Sequence, residues 1–284
     1  MPRKIKICIV QFAPLSYERE KNLNKALNLA SKAVSEGAKI IALPELFDSG
    51  YCVEDKDKEF SIEFSNLNHP TLKTLFDFAK KHEVAFIACS IEKQNDKLFD
   101  TAYIISKEGL IGKYNKIYLW GNEKQRFSPG QNYPVFELEI QKDFHIKIGL
   151  QICYEIGFPE GARFLTLKGA ELLFYPSAFG RSRAYVWDLA SRARALENSI
   201  FIIAVNRSKE ELSKLSKQNL YFGGRSRIIN PKGEILKEVS EDEGYILEEL
   251  DLDELKIQRE TLPYLRDIDL RLNQRILENL NFQS

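Results

Sequence analysis

Cysteine, histidine, long apolar runs and net charge are all scarce in this 284-residue chain. The four cysteines, Cys8, Cys52, Cys89 and Cys153, are far apart, form no CxxC pair and sit mostly in apolar runs. That pattern excludes a disulfide framework and reads as the reduced thiols of a cytosolic protein. The three histidines, His69, His82 and His145, make no HxH, HExxH or HxxxH pattern, so neither a metal nor another cofactor is expected. The longest apolar run, 200–205, is far short of the roughly 20 residues a membrane helix needs. The basic start Pro2-Arg3-Lys4 precedes too short an apolar stretch for a signal peptide, so a soluble, cytoplasmic protein with no membrane partner is expected. The 41 Lys and Arg cancel the 41 Asp and Glu. A surplus that could neutralise phosphates is missing, which argues against nucleic acid as a partner. Neither GxGxxG nor GxxxxGK[ST] occurs, which disfavours a nucleotide-binding protein. Low-complexity linkers are absent too, so residues 1–277 read as one domain. The segment 278–284 differs at one position from a protease-recognition tag and is set aside as a tail.

What the chain does have is a series of short runs rich in Val, Ile, Phe and Tyr. They fall at 5–10, 39–43, 84–90, 101–106, 135–140, 146–152, 171–175, 200–205, 226–229 and 245–250, and they read as strands. Segments with helical spacing lie between several of them, at 20–34, 71–81, 158–167 and 183–197, giving an α/β protein. One pattern occurs twice. Ile5-Lys6-Ile7 leads through a helix to Gly37-Ala38-Lys39 and an apolar strand ending at Pro44, and Ile146-Lys147-Ile148 leads likewise to Gly169-Ala170-Glu171 and a strand ending at Pro176. Each Gly stands where a left-handed helix C-cap is wanted. Two related β-α-β units suggest two sheets packed face to face with helices outside. Residues 209–219, charged and polar, read as a surface loop that could close over a site.

Ligands in α/β proteins gather at strand ends. Three reactive groups fall there: Glu45 after 40–44, Lys116 at the end of Gly112-Lys113-Tyr114-Asn115, and Cys153 after 148–152. A carboxylate, an ammonium and a thiol suffice for covalent acyl transfer without histidine, the carboxylate taking the thiol proton and the ammonium holding an oxyanion. Each residue alone is ordinary, since a cysteine ending an apolar strand is usually inert core. Spacing by itself does not bring the three together.

The motifs around them resemble those of the nitrilase superfamily, the carbon-nitrogen hydrolases. The resemblance is carried by Ala42-Leu43-Pro44-Glu45-Leu46-Phe47 with Gly50-Tyr51, by Gly112-Lys113-Tyr114-Asn115-Lys116-Ile117-Tyr118-Leu119, and by Gly149-Leu150-Gln151-Ile152-Cys153-Tyr154-Glu155 with Phe158-Pro159-Glu160. Further matches are 170–178, Trp187, 192–198 and Asn206-Arg207. The resemblance implies a four-layer α-β-β-α sandwich, two packed mixed sheets with outer helices. It also implies roles: Cys153 nucleophile, Glu45 general base, Lys116 oxyanion stabiliser with the Tyr154 backbone N–H, and Glu123 holding the lysine and the substrate.

Tyr154 after the nucleophile is closer to the amidase-type branches of that family than to true nitrile hydrolysers. Hydrolysis of a small linear amide to acid and ammonia is therefore expected, with an N-carbamoyl amidohydrolase as the alternative and a catalytically silent scaffold as the reading of another class. Tyr51, Trp120, Tyr154 and Phe179 are the candidate substrate contacts. Arg181, Arg183, Arg192 and Arg194 could pair with a carboxylate on the substrate, although Arg192 and Arg194 read rather as structural ion-pair residues. Relatives of this type pair their sandwiches, so a homodimer or higher homo-oligomer is expected.

Overall fold

In a computed structural model, which describes residues 3–280, each strand and helix expected from the sequence forms. The chain runs β1 (Lys4–Gln11), α1 (Arg19–Ser35), β2 (Ile40–Ala42), α2 (Asp57–Phe60), α3 (Pro70–His82), β3 (Ala85–Gln94), β4 (Lys97–Ser106), β5 (Gly109–Asn115), α4 (Glu123–Arg126), β6 (Val135–Gln141) and β7 (Phe144–Leu150). It continues through α5 (Pro159–Leu167), β8 (Leu172–Ser177), α6 (Ala184–Asn198), β9 (Phe201–Asn206), β10 (Glu210–Leu212), β11 (Asn219–Tyr221), β12 (Arg227–Ile229), β13 (Ile235–Glu238), β14 (Gly244–Asp251), α7 (Asp253–Thr261), α8 (Tyr264–Asp267) and α9 (Leu270–Glu278).

Two six-stranded mixed sheets result, ordered β14-β1-β2-β3-β4-β5 and β13-β12-β9-β8-β7-β6. Side chains alternate across a strand, so each strand serves two layers. Ile5, Ile7 and Ile9 of β1 join the core between the sheets, together with Ile148 and Leu150 of β7 and Leu172 of β8. Cys8 and Val10 point the other way, into a second core with Leu23, Ala26 and Ala30 of α1 and Leu72 and Leu75 of α3. Helices α5 and α6 cover the second sheet through β7, β9 and β12. This is the expected α-β-β-α sandwich. Among the described residues no helix is long and apolar enough to cross a membrane.

The repeated sequence pattern is a repeated geometry. In both halves the first strand pairs in parallel with the second, Ile7 opposite Ile40 and Ile148 opposite Leu172. Gly37 and Gly169 take φ of +94° and +95°, the left-handed region that favours glycine. Two residues on, the amides close matching bonds, Lys39 N–H to the Lys6 carbonyl at 2.9 Å and Glu171 N–H to the Lys147 carbonyl at 2.8 Å.

Three expectations need correction. Strand β8 does not end at Pro176 but runs through it to Ser177. On the β7 side the ladder has already ended at Phe174, so the missing proline N–H breaks no bond. Residues 209–219 are not a plain loop, because β10 and β11 pair as an antiparallel hairpin. Buried Glu211 ties that hairpin down, bonding Arg207 and accepting the Tyr51 and Cys52 N–H groups at 3.1 and 3.0 Å. Of the tail, Glu278 closes α9, and residues 281–284 lie outside the described residues.

Candidate active site

Three strand ends supply the site, and each is fixed by its own local bonds. After β2, Leu43 N–H bonds the Ile87 carbonyl at 2.9 Å and Phe47 N–H the Cys89 carbonyl at 3.2 Å, which locks the turn carrying Glu45. After β5, Lys116 is clamped from both sides: its N–H donates to the Asp100 carbonyl at 2.9 Å and its carbonyl accepts from Gly130 N–H at 2.8 Å. After β7, Cys153 opens a short 3₁₀ turn, Cys153–Gly157, with φ of +48°. A non-glycine residue held there is strained and persists only where neighbours over-determine it.

The neighbours are visible. The buried Glu155 carboxylate accepts from the Tyr114 hydroxyl at 2.6 Å, Ile117 N–H at 2.9 Å, Tyr118 N–H at 3.2 Å and Ile152 N–H at 2.8 Å. One side chain thus joins the Lys116 loop to the Cys153 turn. Burial pushes its carboxyl up to about 7, against the pull of those donors. From the far side Arg194 Nε donates to the Ile156 carbonyl at 3.0 Å, bracing the same turn.

These supports converge on one ammonium. Lys116 Nζ donates to Glu45 Oε1 at 2.6 Å, Glu123 Oε1 at 2.9 Å and Asp100 Oδ2 at 3.3 Å. Lys116, Glu45 and Asp100 are wholly buried, Glu123 is 1% exposed and Cys153 5%. Carboxylate oxygens of Glu45, Asp100 and Glu123 lie within 4.8 Å of one another, a spacing that would suit a metal ion. The cation they surround is the chain's own lysine. The other Glu45 oxygen, Oε2, accepts Ala178 N–H at 2.6 Å, while Glu123 Oε1 takes the Tyr51 hydroxyl at 2.5 Å and Glu123 Oε2 takes Trp120 N–H at 2.8 Å.

Charge and burial oppose each other here. Burial raises the Glu45 carboxyl well above the ordinary range, more than Lys116 lowers it. Burial alone would lower Lys116, yet Glu123, Glu45 and Asp100 together hold it well above the usual lysine value, firmly cationic. Burial first, then Glu45, raise the Cys153 thiol well above its ordinary value, with Lys116 pulling the other way. The resting group is therefore a thiol, a fixed cation and carboxylates able to take a proton. That is the equipment for acid–base-assisted nucleophilic attack.

Of the four candidate substrate contacts, Tyr51 belongs to the cluster through Glu123. Trp120, 39% exposed, and half-buried Tyr154 form an aromatic pair, with ring centroids 4.8 Å apart. Phe179 packs against Trp187 at 5.2 Å, as a core residue does. Arg194 makes the expected ion pair, with Glu197 at 2.7 Å, but Arg192 makes none among the described residues and donates to the Gly233 carbonyl at 2.9 Å. A cavity of about 920 Å³ lined by Lys97, Lys113, Asn115 and Gly130 among others includes none of the clustered groups. Two functional positions escaped the sequence reading. Asp100 carries its signal in being a lone carboxylate inside the otherwise uncharged stretch 98–106. Glu155 was legible only as part of a motif.

Comparison with known proteins bears on this geometry. Residues 6–260 match the family described as carbon-nitrogen hydrolase. A nitrilase of Pyrococcus abyssi is 37% identical over 87% of this chain and 90% of its own length. Omega-amidase NIT2 of Xenopus tropicalis is 32% identical over 93% and 94%. The crystal structure of a carbon-nitrogen hydrolase from Helicobacter pylori superposes with a TM-score of 0.88 at 26% identity, over 97% of this chain and 99% of that one. This chain belongs to the carbon-nitrogen hydrolase family and is an enzyme that hydrolyses carbon–nitrogen bonds.

Proposed function

We propose that the protein hydrolyses small linear amides to a carboxylic acid and ammonia through a thioester on Cys153. The observation that carries this reading is the buried Lys116 ammonium held by Glu45, Asp100 and Glu123, with the Cys153 thiol feeling the charge of Glu45 and Lys116. Glu45 takes the thiol proton, and the sulfur attacks the amide carbon. The tetrahedral oxyanion lies between the Lys116 ammonium and the Tyr154 N–H, groups fixed before the charge develops. Glu45 returns the proton to the departing nitrogen, ammonia leaves and a thioester remains. Glu45 then deprotonates water, which attacks the thioester, and the released sulfur regains its proton as the acid departs. Glu123 supports Lys116 and the Tyr51 hydroxyl throughout. A carboxyl raised by burial suits a group used in turn as base and acid.

The favoured bond is an amide because Tyr154 follows the nucleophile and because one of the relatives above is an omega-amidase. The test is ammonia release from short aliphatic amides, acid-bearing amides and N-carbamoyl amines, with carbon dioxide assayed in parallel. Ammonia without carbon dioxide, lost in Cys153→Ala, is the expected outcome. Release that persists in Cys153→Ala refutes the thiol mechanism, and accompanying carbon dioxide moves the enzyme to carbamoyl hydrolysis.

A further inference from the structure

Arginine in the described residues is nearly always partnered. Of the fifteen arginines in the sequence, all but Arg183, Arg271 and Arg275 donate a hydrogen bond or make an ion pair there. Arg271 and Arg275 lie exposed on α9, where water serves them. Arg183 is different, being half-buried. A guanidinium taken partly out of water with no acceptor is unusual, because its five donors then lose solvent without replacement.

Its position is specific. The guanidinium carbon sits 4.6 Å from the Trp120 ring centroid, and that ring lies 4.8 Å from the ring of Tyr154, the residue after Cys153. The backbone N–H of Trp120 in turn bonds Glu123, so the residue that carries this ring is tied to the lysine cluster. Stacking on indole orients the guanidinium plane and leaves its N–H edge free for a planar partner. Room for the side chain comes from Gly180, where a Cβ would stand 2.7 Å from Arg183 Nη2. The nearby Arg181 is already committed to Glu241 at 2.9 Å. In the buried cluster three carboxylates face one ammonium, an environment that repels an anionic substrate unless a cation nearer the surface receives its charge.

We infer that Arg183 is a specificity-determining residue that pairs with a carboxylate at the far end of an amide substrate, making acid-bearing amides the preferred substrate class. The inference rests on the amidase reading above for the chemistry at the other end of that substrate. A carboxylate matches the guanidinium fork by two parallel N–H···O bonds, which a neutral alkyl amide of the same length cannot form.

The test separates binding from turnover. In Cys153→Ala, succinamate and glutaramate, monoamides of the four- and five-carbon diacids, are titrated calorimetrically at low salt beside butanamide and pentanamide. The acid-bearing amides are expected to bind more tightly, and adding Arg183→Met is expected to cut that preference by about 10- to 100-fold. Arg183→Lys, which keeps the charge but not the fork, should restore only part of it. In the otherwise wild-type enzyme the same substitutions should lower the ratio of kcat/KM for glutaramate over pentanamide, mostly through KM. Equal binding of acid-bearing and neutral amides, or a preference indifferent to Arg183, overturns the assignment while leaving the amidase reading intact. Arg183-dependent binding without ammonia release from the wild type supports the anchor and fails the amidase reading instead. Thermal unfolding of each variant checks that the fold is retained.

Discussion

Glu155 sets two forces against each other in one side chain, and Glu155→Gln tells which prevails. Burial pushes its carboxyl from 4.5 up to about 7, while four hydrogen-bond donors favour the ionised form. A rise of that size corresponds to roughly 3 kcal/mol. The sign follows from proton counting: between pH 4.5 and 7 the native protein holds a proton that the unfolded chain has released, so stability falls as pH rises through that window. Glutamine copies the protonated acid in size and shape and does not titrate, although its NH₂ cannot accept a hydrogen bond. Urea unfolding should therefore show the stability difference between the two proteins moving by about 2–3 kcal/mol in favour of the variant from pH 5 to pH 8, on top of a constant cost of the substitution. Activity should nevertheless drop at both, because an amide NH₂ in place of one oxygen meets either Ile152 N–H or the Ile117 and Tyr118 amides donor to donor. The reasoning is refuted if that difference stays constant between pH 5 and pH 8, since the donors would then outweigh burial and Glu155 would be ionised throughout.

Three shorter predictions concern the same cluster. Lys116→Met removes the cation from among three buried carboxylates, so kcat should fall by about 10² to 10³. Its stability loss, about 3–5 kcal/mol where the carboxylates stay ionised, should shrink as pH is lowered and they take up protons; a loss equal at pH 5 and pH 8 counts against it. The acidic limb of kcat/KM should lie above 4.5, because Glu45 must be ionised to act as base and burial raises its carboxyl; a limb at or below 4.5 removes Glu45 from that role. Gly130→Ala places a Cβ 2.0 Å from the Asn115 carbonyl oxygen and should cost at least about 1–3 kcal/mol in thermal or urea unfolding, with a loss of activity as Lys116 shifts. Exposed Gly157, where an added Cβ meets nothing within 4 Å, should accept alanine within about 0.5 kcal/mol, and equal damage at both positions would disprove the steric account.

Legibility in the sequence followed the range of the forces involved. Strands β1, β7 and β9 were readable because apolar content is a local signal, and Gly37 and Gly169 marked their turns because a left-handed backbone is a single-residue property. The hairpin within 209–221 was missed because its residues are charged, and Glu211 is buried only through partners such as Cys52 and Arg207 brought to it by the fold. Strand β5 went unread as well, since Gly109, Gly112 and Lys113 dilute its apolar pattern and pairing with β4 supplies what propensity does not.

By itself the chain determined its α/β class, the doubling of its β-α-β unit and the strand ends at which Glu45 and Cys153 would stand. Those follow from hydrophobic period and turn chemistry, which act over a few residues. Tertiary structure alone decided that Glu45 and Lys116, 71 positions apart, share a hydrogen bond, and that Asp100 from the middle of a strand joins them. It also decided the charge states. Whether a carboxyl is a base or an inert ion depends on how much water is removed and which charges are brought near, and both are fixed only when two sheets close over the groups they carry.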